Sequence, residues 1–224
     1  MPERRPIVRT RALGWLAGLA LLAGLAVAFG YAPREAAQGN VQRIMYLHVP
    51  SILTAYLAFG LVLLGSIGYL ATRGKAWDRL AASAAELGVL FTGVTIVTGS
   101  IWGKPTWGTW WTWDARLTST AVLFLVYTGY LLLRGMVDEP ERRGRYAAVV
   151  GIVGAANIPI VHFSVKWWRA LHQPSTILGP EPSPIAAPIA TALLVNWVAF
   201  TLLFVYFLAR RIEIARLDDG AVDA

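Results

Sequence analysis

Long uncharged apolar stretches alternate along this chain with short clusters of charge. Six stretches stand out, at residues 12–32, 51–71, 81–102, 118–134, 146–164 and 185–209. The first lies between Arg11 and Arg34, the second ends before Arg73, and the sixth ends before Arg210. The third carries Glu86 near one end, and the fifth carries His162. A helix that crosses the hydrocarbon core needs about 20 predominantly apolar residues. Chain in lipid must satisfy its own backbone polar groups, so such runs are expected as helices. The pattern predicts an all-α integral membrane protein, with residues 1–224 forming a single domain of six transmembrane helices. Arginines ahead of the first run, with Ala26-Val27-Ala28 near its end, also resemble a signal peptide. The run exceeds the usual signal core of about 7–15 residues, which favours a retained span.

Charge then orients the bundle. Of the 20 basic residues, 14 fall on the N-terminus, the even-numbered connections and the C-terminal tail, and six on the odd-numbered connections. Cytoplasmic segments carry the excess of Lys and Arg. Both termini are therefore expected in the cytoplasm, with the connections after the first, third and fifth helices on the outer face. The net charge of +7 reads as this topology signal together with contact with anionic membrane lipid. No nucleic-acid-binding motif accompanies it, so no nucleic-acid partner is expected. The chain has no cysteine, which excludes disulfides, thiolate metal sites and Cys nucleophiles. No phosphate-binding loop is present, so any ATP is used by a partner.

The outward connections hold the candidate chemistry. Of ten tryptophans, five (Trp102, Trp107, Trp110, Trp111 and Trp113) fall between residues 102 and 113, and Trp167 and Trp168 on the next outward connection. An aromatic belt at the membrane interface accounts for one or two per helix end, fewer than are found. Gly103, Pro105 and Gly108 are expected to break regular helix there, leaving an apolar surface suited to a flat hydrophobic ligand. His48 and His172 belong by position to connections on the same side. A lone histidine is more often a packed core residue, but neutral imidazole is also the commonest protein metal ligand. Without cysteine, a pair of histidines suits a haem iron. Zinc remains an alternative, although it wants three or four ligands and the outward acids are Glu35, Asp114 and Glu181. Arg43, Lys104, Arg116, Lys166 and Arg169 frame the same face and suit carboxylates such as haem propionates. Each also fits ordinary snorkelling, and Arg116 stands out because it adjoins Asp114.

The stretch from Trp102 to Ser119 resembles the tryptophan-rich WWD signature of the haem-handling membrane proteins of cytochrome c biogenesis. Residues 43–51 (RIMYLHVPS) and 166–175 (KWWRALHQPS) resemble the flanking histidine motifs of the CcmC, or haem exporter protein C, family. The resemblance covers nearly the whole chain. It implies a multi-pass protein of the bacterial inner membrane that is not an enzyme. Such a protein binds haem b on the outer face and presents it to a periplasmic haem chaperone, CcmE, during c-type cytochrome biogenesis. It further implies His48 and His172 as axial ligands of the iron. Trp102, Trp107, Trp110, Trp111, Trp113, Asp114 and Arg116 would cradle the porphyrin, on a WWD loop between helices 3 and 4. CcmA, CcmB and CcmD are the implied partners in the ATP-driven complex. His162 has no counterpart in this resemblance and receives no role.

Three other functions fit a six-helix membrane protein. A permease subunit of an ABC transporter needs a polar path at mid-membrane, for which the sequence offers Glu86 alone. A haem lyase attaching haem to apocytochrome shares the WWD stretch. A transmembrane b-type cytochrome would place paired histidines within spans, whereas His48 and His172 are expected outside them.

Overall fold

The computed structural model describes residues 6–168, 170–172 and 185–222. Arg4, Arg5, Arg169, residues 173–175, Pro180 and Glu181 lie outside the described residues. The elements in order are α1 (Pro6–Ala26), which runs on as a π turn over Val27–Tyr31, a 3-10 turn over Val41–Ile44, α2 (Met45–Thr72), α3 (Lys75–Trp107), α4 (Ala115–Met136), α5 (Pro140–Ala155), α6 (Asn157–Trp167) and α7 (Ala187–Val222). Six helical segments are long and apolar enough to span a membrane, with α5 and α6 together forming the fifth.

The fifth segment is divided at Ala156, a break with a local cause. Pro159 cannot donate to the carbonyl of Ala155 four residues back, and its ring crowds that carbonyl. Asn157 Nδ2 steadies the restart by donating to the carbonyl of Ser119 on α4, 2.8 Å away.

Small residues set the helix spacing, as expected where lipid supplies no hydrophobic drive and backbones must approach closely. Gly88 of α3 lies against the Phe59 ring of α2, and Gly144 of α5 lies against Tyr69. Gly151 faces Ser66 and Val62, and Gly154 faces Tyr127. In the middle of the bundle Phe59 stacks on Tyr127 with centroids 3.8 Å apart and planes 13° from parallel. The Tyr127 hydroxyl donates to the Gly151 carbonyl at 3.0 Å, so the polar tip of a fully buried ring is satisfied. Helix α1 packs on α7, where Gly14 meets Tyr206 and Gly24 meets Asn196. The opposite side of α1 exposes Leu16, Leu19, Leu22 and Leu25.

The two ends of the bundle differ in character. At the end holding the α2–α3 turn and the C-termini of α4 and α7, ion pairs tie helices together. Arg134 of α4 grips Asp78 of α3 through two hydrogen bonds of 2.6 and 2.7 Å. Arg211 of α7 holds Glu86 of α3 at 2.5 and 2.6 Å, and Arg79 pairs with Asp219 at 2.7 Å. The other end gathers the start of α2, the end of α3, the start of α4, the end of α6 and residues 170–172, and there a cavity opens.

Candidate functional site

The cavity has a volume of about 250 Å³ and a mostly apolar wall. His48, Trp102, Trp107, Trp111, Arg116 and His172 all line it, together with His162. They come from α2, α3, the α3–α4 connection, α4, α6 and the segment after α6, so only the folded bundle assembles them.

Several expectations about local structure are corrected. His48 lies in the first turn of α2 rather than on a connection, and Pro50 lies inside that helix. A proline so near a helix start removes only the one backbone bond to the Tyr46 carbonyl. Beside it, Ser51 Oγ donates to the Leu47 carbonyl at 2.7 Å. Helix α3 likewise continues through Gly103 and Pro105 to Trp107, with Thr106 Oγ1 donating to the Trp102 carbonyl at 2.8 Å. Trp102 and Trp107 therefore project from a helix. The turn comes at Gly108, whose φ of +78° suits a residue without Cβ. Its N–H closes the helix on the Lys104 carbonyl at 3.0 Å.

The two imidazoles are each met edge-on by an indole. His48 and Trp102 have ring centroids 5.7 Å apart at 77°, and His172 and Trp107 lie 4.8 Å apart at 62°. His48 Nδ1 is 3.2 Å from Thr98 Oγ1. Trp102 Nε1 donates to Gln38 Oε1 at 2.8 Å, which docks the connection between α1 and α2 on α3. That connection is held by a turn in which the Glu35 carboxylate accepts from the N–H groups of Ala37 and Gln38 at 2.9 and 2.5 Å. Burial pushes the His172 imidazole down to about 4, with the Arg116 cation and His48 acting in the same direction and Asp114 opposing them. It is therefore neutral at physiological pH, the form that ligates metal.

Asp114, Trp110 and Trp113 do not line the cavity. Asp114 caps α4, its carboxylate accepting from the Leu117 N–H at 2.9 Å, the arrangement that satisfies an orphan donor at a helix start. It makes no ion pair with Arg116 among the described residues. Trp110 is 57% and Trp113 80% exposed, with Trp113 edge-on to Trp111 at 5.6 Å. Arg43 is engaged elsewhere, donating to the carbonyls of Ala28 and Ala32 and thereby anchoring the end of the first span. Arg116 Nη2 donates to the backbone carbonyl of His162 at 2.9 Å.

His162, Tyr56, Thr95, Thr98 and Gly99 belong to the site surroundings and were not predicted from sequence. His162 had a visible signal, a histidine in an apolar run. The others had none, because hydroxyl and glycine residues are ordinary packing residues in membrane helices.

Buried polar groups nearly always find partners. His172 Nδ1, Trp111 Nε1 and Arg116 Nε are buried without a partner among the described residues, and all three belong to residues lining the cavity. Unpartnered atoms also occur away from the cavity, as at Thr54 and Tyr130, but these three belong to residues around a space that a ligand can fill. No three His, Asp or Glu side chains converge on a metal position among the described residues. Two imidazoles, indole edges and an arginine in an apolar cleft suit a large flat ligand with a metal centre and carboxylates.

A family model described as CcmC, heme exporter protein C, matches residues 5–220. Heme exporter protein C of Bradyrhizobium diazoefficiens is 42% identical over 220 residues, covering 96% of this chain and 83% of its own length. The Escherichia coli K12 protein of the same name is 42% identical over 172 residues, 77% of this chain and 66% of its own. That of Haemophilus influenzae is 34% identical over 227 residues, covering 98% of this chain and 92% of its own.

Proposed function

The chain belongs to the CcmC, haem exporter protein C, family, and from that premise we propose that it binds haem b at the outer face of the bacterial inner membrane and presents it to a CcmE-like periplasmic chaperone. Haem is here a cargo rather than a resident cofactor. The observation that carries the reading is that His48 and His172 line one apolar cavity, where His172 Nδ1, Trp111 Nε1 and Arg116 Nε have no hydrogen-bond partner among the described residues. The two imidazoles would hold the iron axially. Trp102, Trp107 and Trp111 would cover the porphyrin, and Arg116 Nε would meet a propionate. Small-molecule pockets that enclose their ligands usually measure about 300–1,000 Å³. A cleft of about 250 Å³ grips a porphyrin along one side and leaves an edge free, as handover requires. Trp110 and Trp113, exposed on the α3–α4 connection, would meet the chaperone.

The CcmA–CcmB ATPase complex and CcmD are the proposed partners in release, consistent with the exporter name that the relatives carry. The permease alternative is weaker, because Glu86, the acid within the third span, is held bidentately by Arg211. The test is an absorption spectrum of the detergent-purified protein with added haem, wild type against His48→Ala, His172→Ala and His162→Ala. Chaperone pull-down on the same samples, with haem quantified, completes it. Loss of the low-spin spectrum is expected in the first two variants and its retention in the third. A spectrum indifferent to His48 and His172, or capture of apocytochrome in place of chaperone, would overturn the reading.

A further inference from the structure

One face of α3 is organised around a single side chain of α2. Thr95, Thr98, Gly99 and Trp102 recur at the three- and four-residue spacing that places residues on one side of a helix, and that side is turned to His48. Thr98 Oγ1 lies 3.2 Å from His48 Nδ1. At Gly99, a Cβ would stand 2.9 Å from His48 Cε1, so the absence of a side chain makes room for the ring. Trp102 closes the arrangement with its edge contact, and Gln38 fixes Trp102 in turn.

The hydrogen bond has a determinable direction. A threonine hydroxyl carries one hydrogen. Thr98 Oγ1 sits 2.7 Å from the Val94 carbonyl and 3.2 Å from the Thr95 carbonyl, and carbonyls only accept. The single hydroxyl hydrogen is committed to the helix, so the bond to His48 takes its hydrogen from the ring. His48 is then protonated on Nδ1 and keeps the lone pair on Nε2. His172 has no such brace among the described residues: its Nδ1 is buried without a partner there, and Trp107 orients the ring without selecting a tautomer.

We propose that Thr98 is a positioning residue that locks His48 in its Nδ1–H tautomer and presents Nε2 to the cavity as the stationary axial ligand of the iron, leaving His172 as the unbraced one. This rests on the reading of His48 as a haem ligand. Outer-shell partners of metal-bound histidines orient the ring and raise its basicity, and their loss typically costs 10–100-fold in affinity.

The experiment uses the full-length protein in detergent. Selective ¹⁵N-histidine labelling gives three imidazoles, and the signals missing from His48→Asn belong to His48. The apo wild type should show His48 protonated on Nδ1, and Thr98→Val should populate the Nε2–H form. After loading with haemin, release to excess apomyoglobin should quicken about tenfold in Thr98→Val and return to within about twofold of wild type in Thr98→Ser. A wild-type tautomer or wild-type release in Thr98→Val overturns the proposal. Equal losses in the Val and Ser variants also overturn it, because they make Thr98 a packing residue. If His48→Ala itself keeps the wild-type spectrum and release, the ligand reading has failed instead, a separate outcome in the same data set.

Discussion

Replacing Gly99 with alanine should separate folding from haem binding. The added Cβ would lie 2.9 Å from His48 Cε1, whereas carbon atoms pack best at about 3.5–4.0 Å. The ring must therefore retreat by roughly 0.6–1.1 Å, beyond the roughly 0.5 Å tolerance of a preorganised site. The 3.2 Å bond to Thr98 stretches past useful length, at a net cost of about 1 kcal/mol. The misplaced imidazole adds to that loss, so haem affinity should fall about tenfold. Stability should hold, since alanine in a helix interior gains up to about 1 kcal/mol over glycine and offsets the local crowding. Gly60, in α2 with open space around its Cβ direction, is the control, and Gly60→Ala should bind haem as the wild type does. The assays are haem titration followed at the Soret band and thermal unfolding of the apo protein in detergent. Gly99→Ala binding within about twofold of wild type would show that His48 is not held as described. A collapse in its melting temperature would show that Gly99 serves packing.

Three further outcomes are expected. Trp111→Ala should speed haem loss, because Trp111 lines the cavity, whereas Trp113→Ala should leave the resting spectrum intact and weaken chaperone pull-down, because Trp113 is 80% exposed. Burial holds the His172 imidazole neutral until the pH falls to about 4, so the part of haem affinity due to His172 should stay flat as pH drops from 8 to 5 in equilibrium titrations. An imidazole with the ordinary value near 6.5 would instead lose about tenfold per unit below it. Reporter fusions at Gly39 and Thr109 should read periplasmic and those at Gly74 and Gly144 cytoplasmic; a periplasmic signal at Gly144 would invert the topology.

The six helices were legible because each is a long uncharged run, a signal set by the thickness of a bilayer. The interruptions of that signal misled. Pro50 and Pro105 suggested helix boundaries, yet both lie inside helices beside a hydroxyl that donates to a nearby carbonyl. Pro159, in an apolar run read as continuous, divides the helix three residues earlier, at Ala156. At the site, residue type pointed to His48, His172 and the indoles, but composition pooled the tryptophans. Only the fold separates Trp111 in the cavity wall from Trp110 and Trp113 on the surface. Asp114 beside Arg116 suggested a pair, whereas the carboxylate serves the start of α4. Thr98 and Gly99 were illegible because their importance depends on a ring that approaches from another helix.

The break at Ala156 makes α6 a lever. Its 11 residues extend about 16 Å at 1.5 Å per residue. A tilt of about 10° about the break carries its far end some 3 Å. Trp167 is at that tip and His172 lies five residues beyond it, while His48 is fixed to the long α2–α3 pair, whose far end the ion pairs clamp. The cleft is thus walled on one side by a long helix pair and on the other by a short arm. Val161 and Ser164 of α6 are buried and Arg116 holds the His162 carbonyl, so a load on the exposed aromatic tip at Phe163, Trp167 and Trp168 passes into α4 and the core as well as into the cleft.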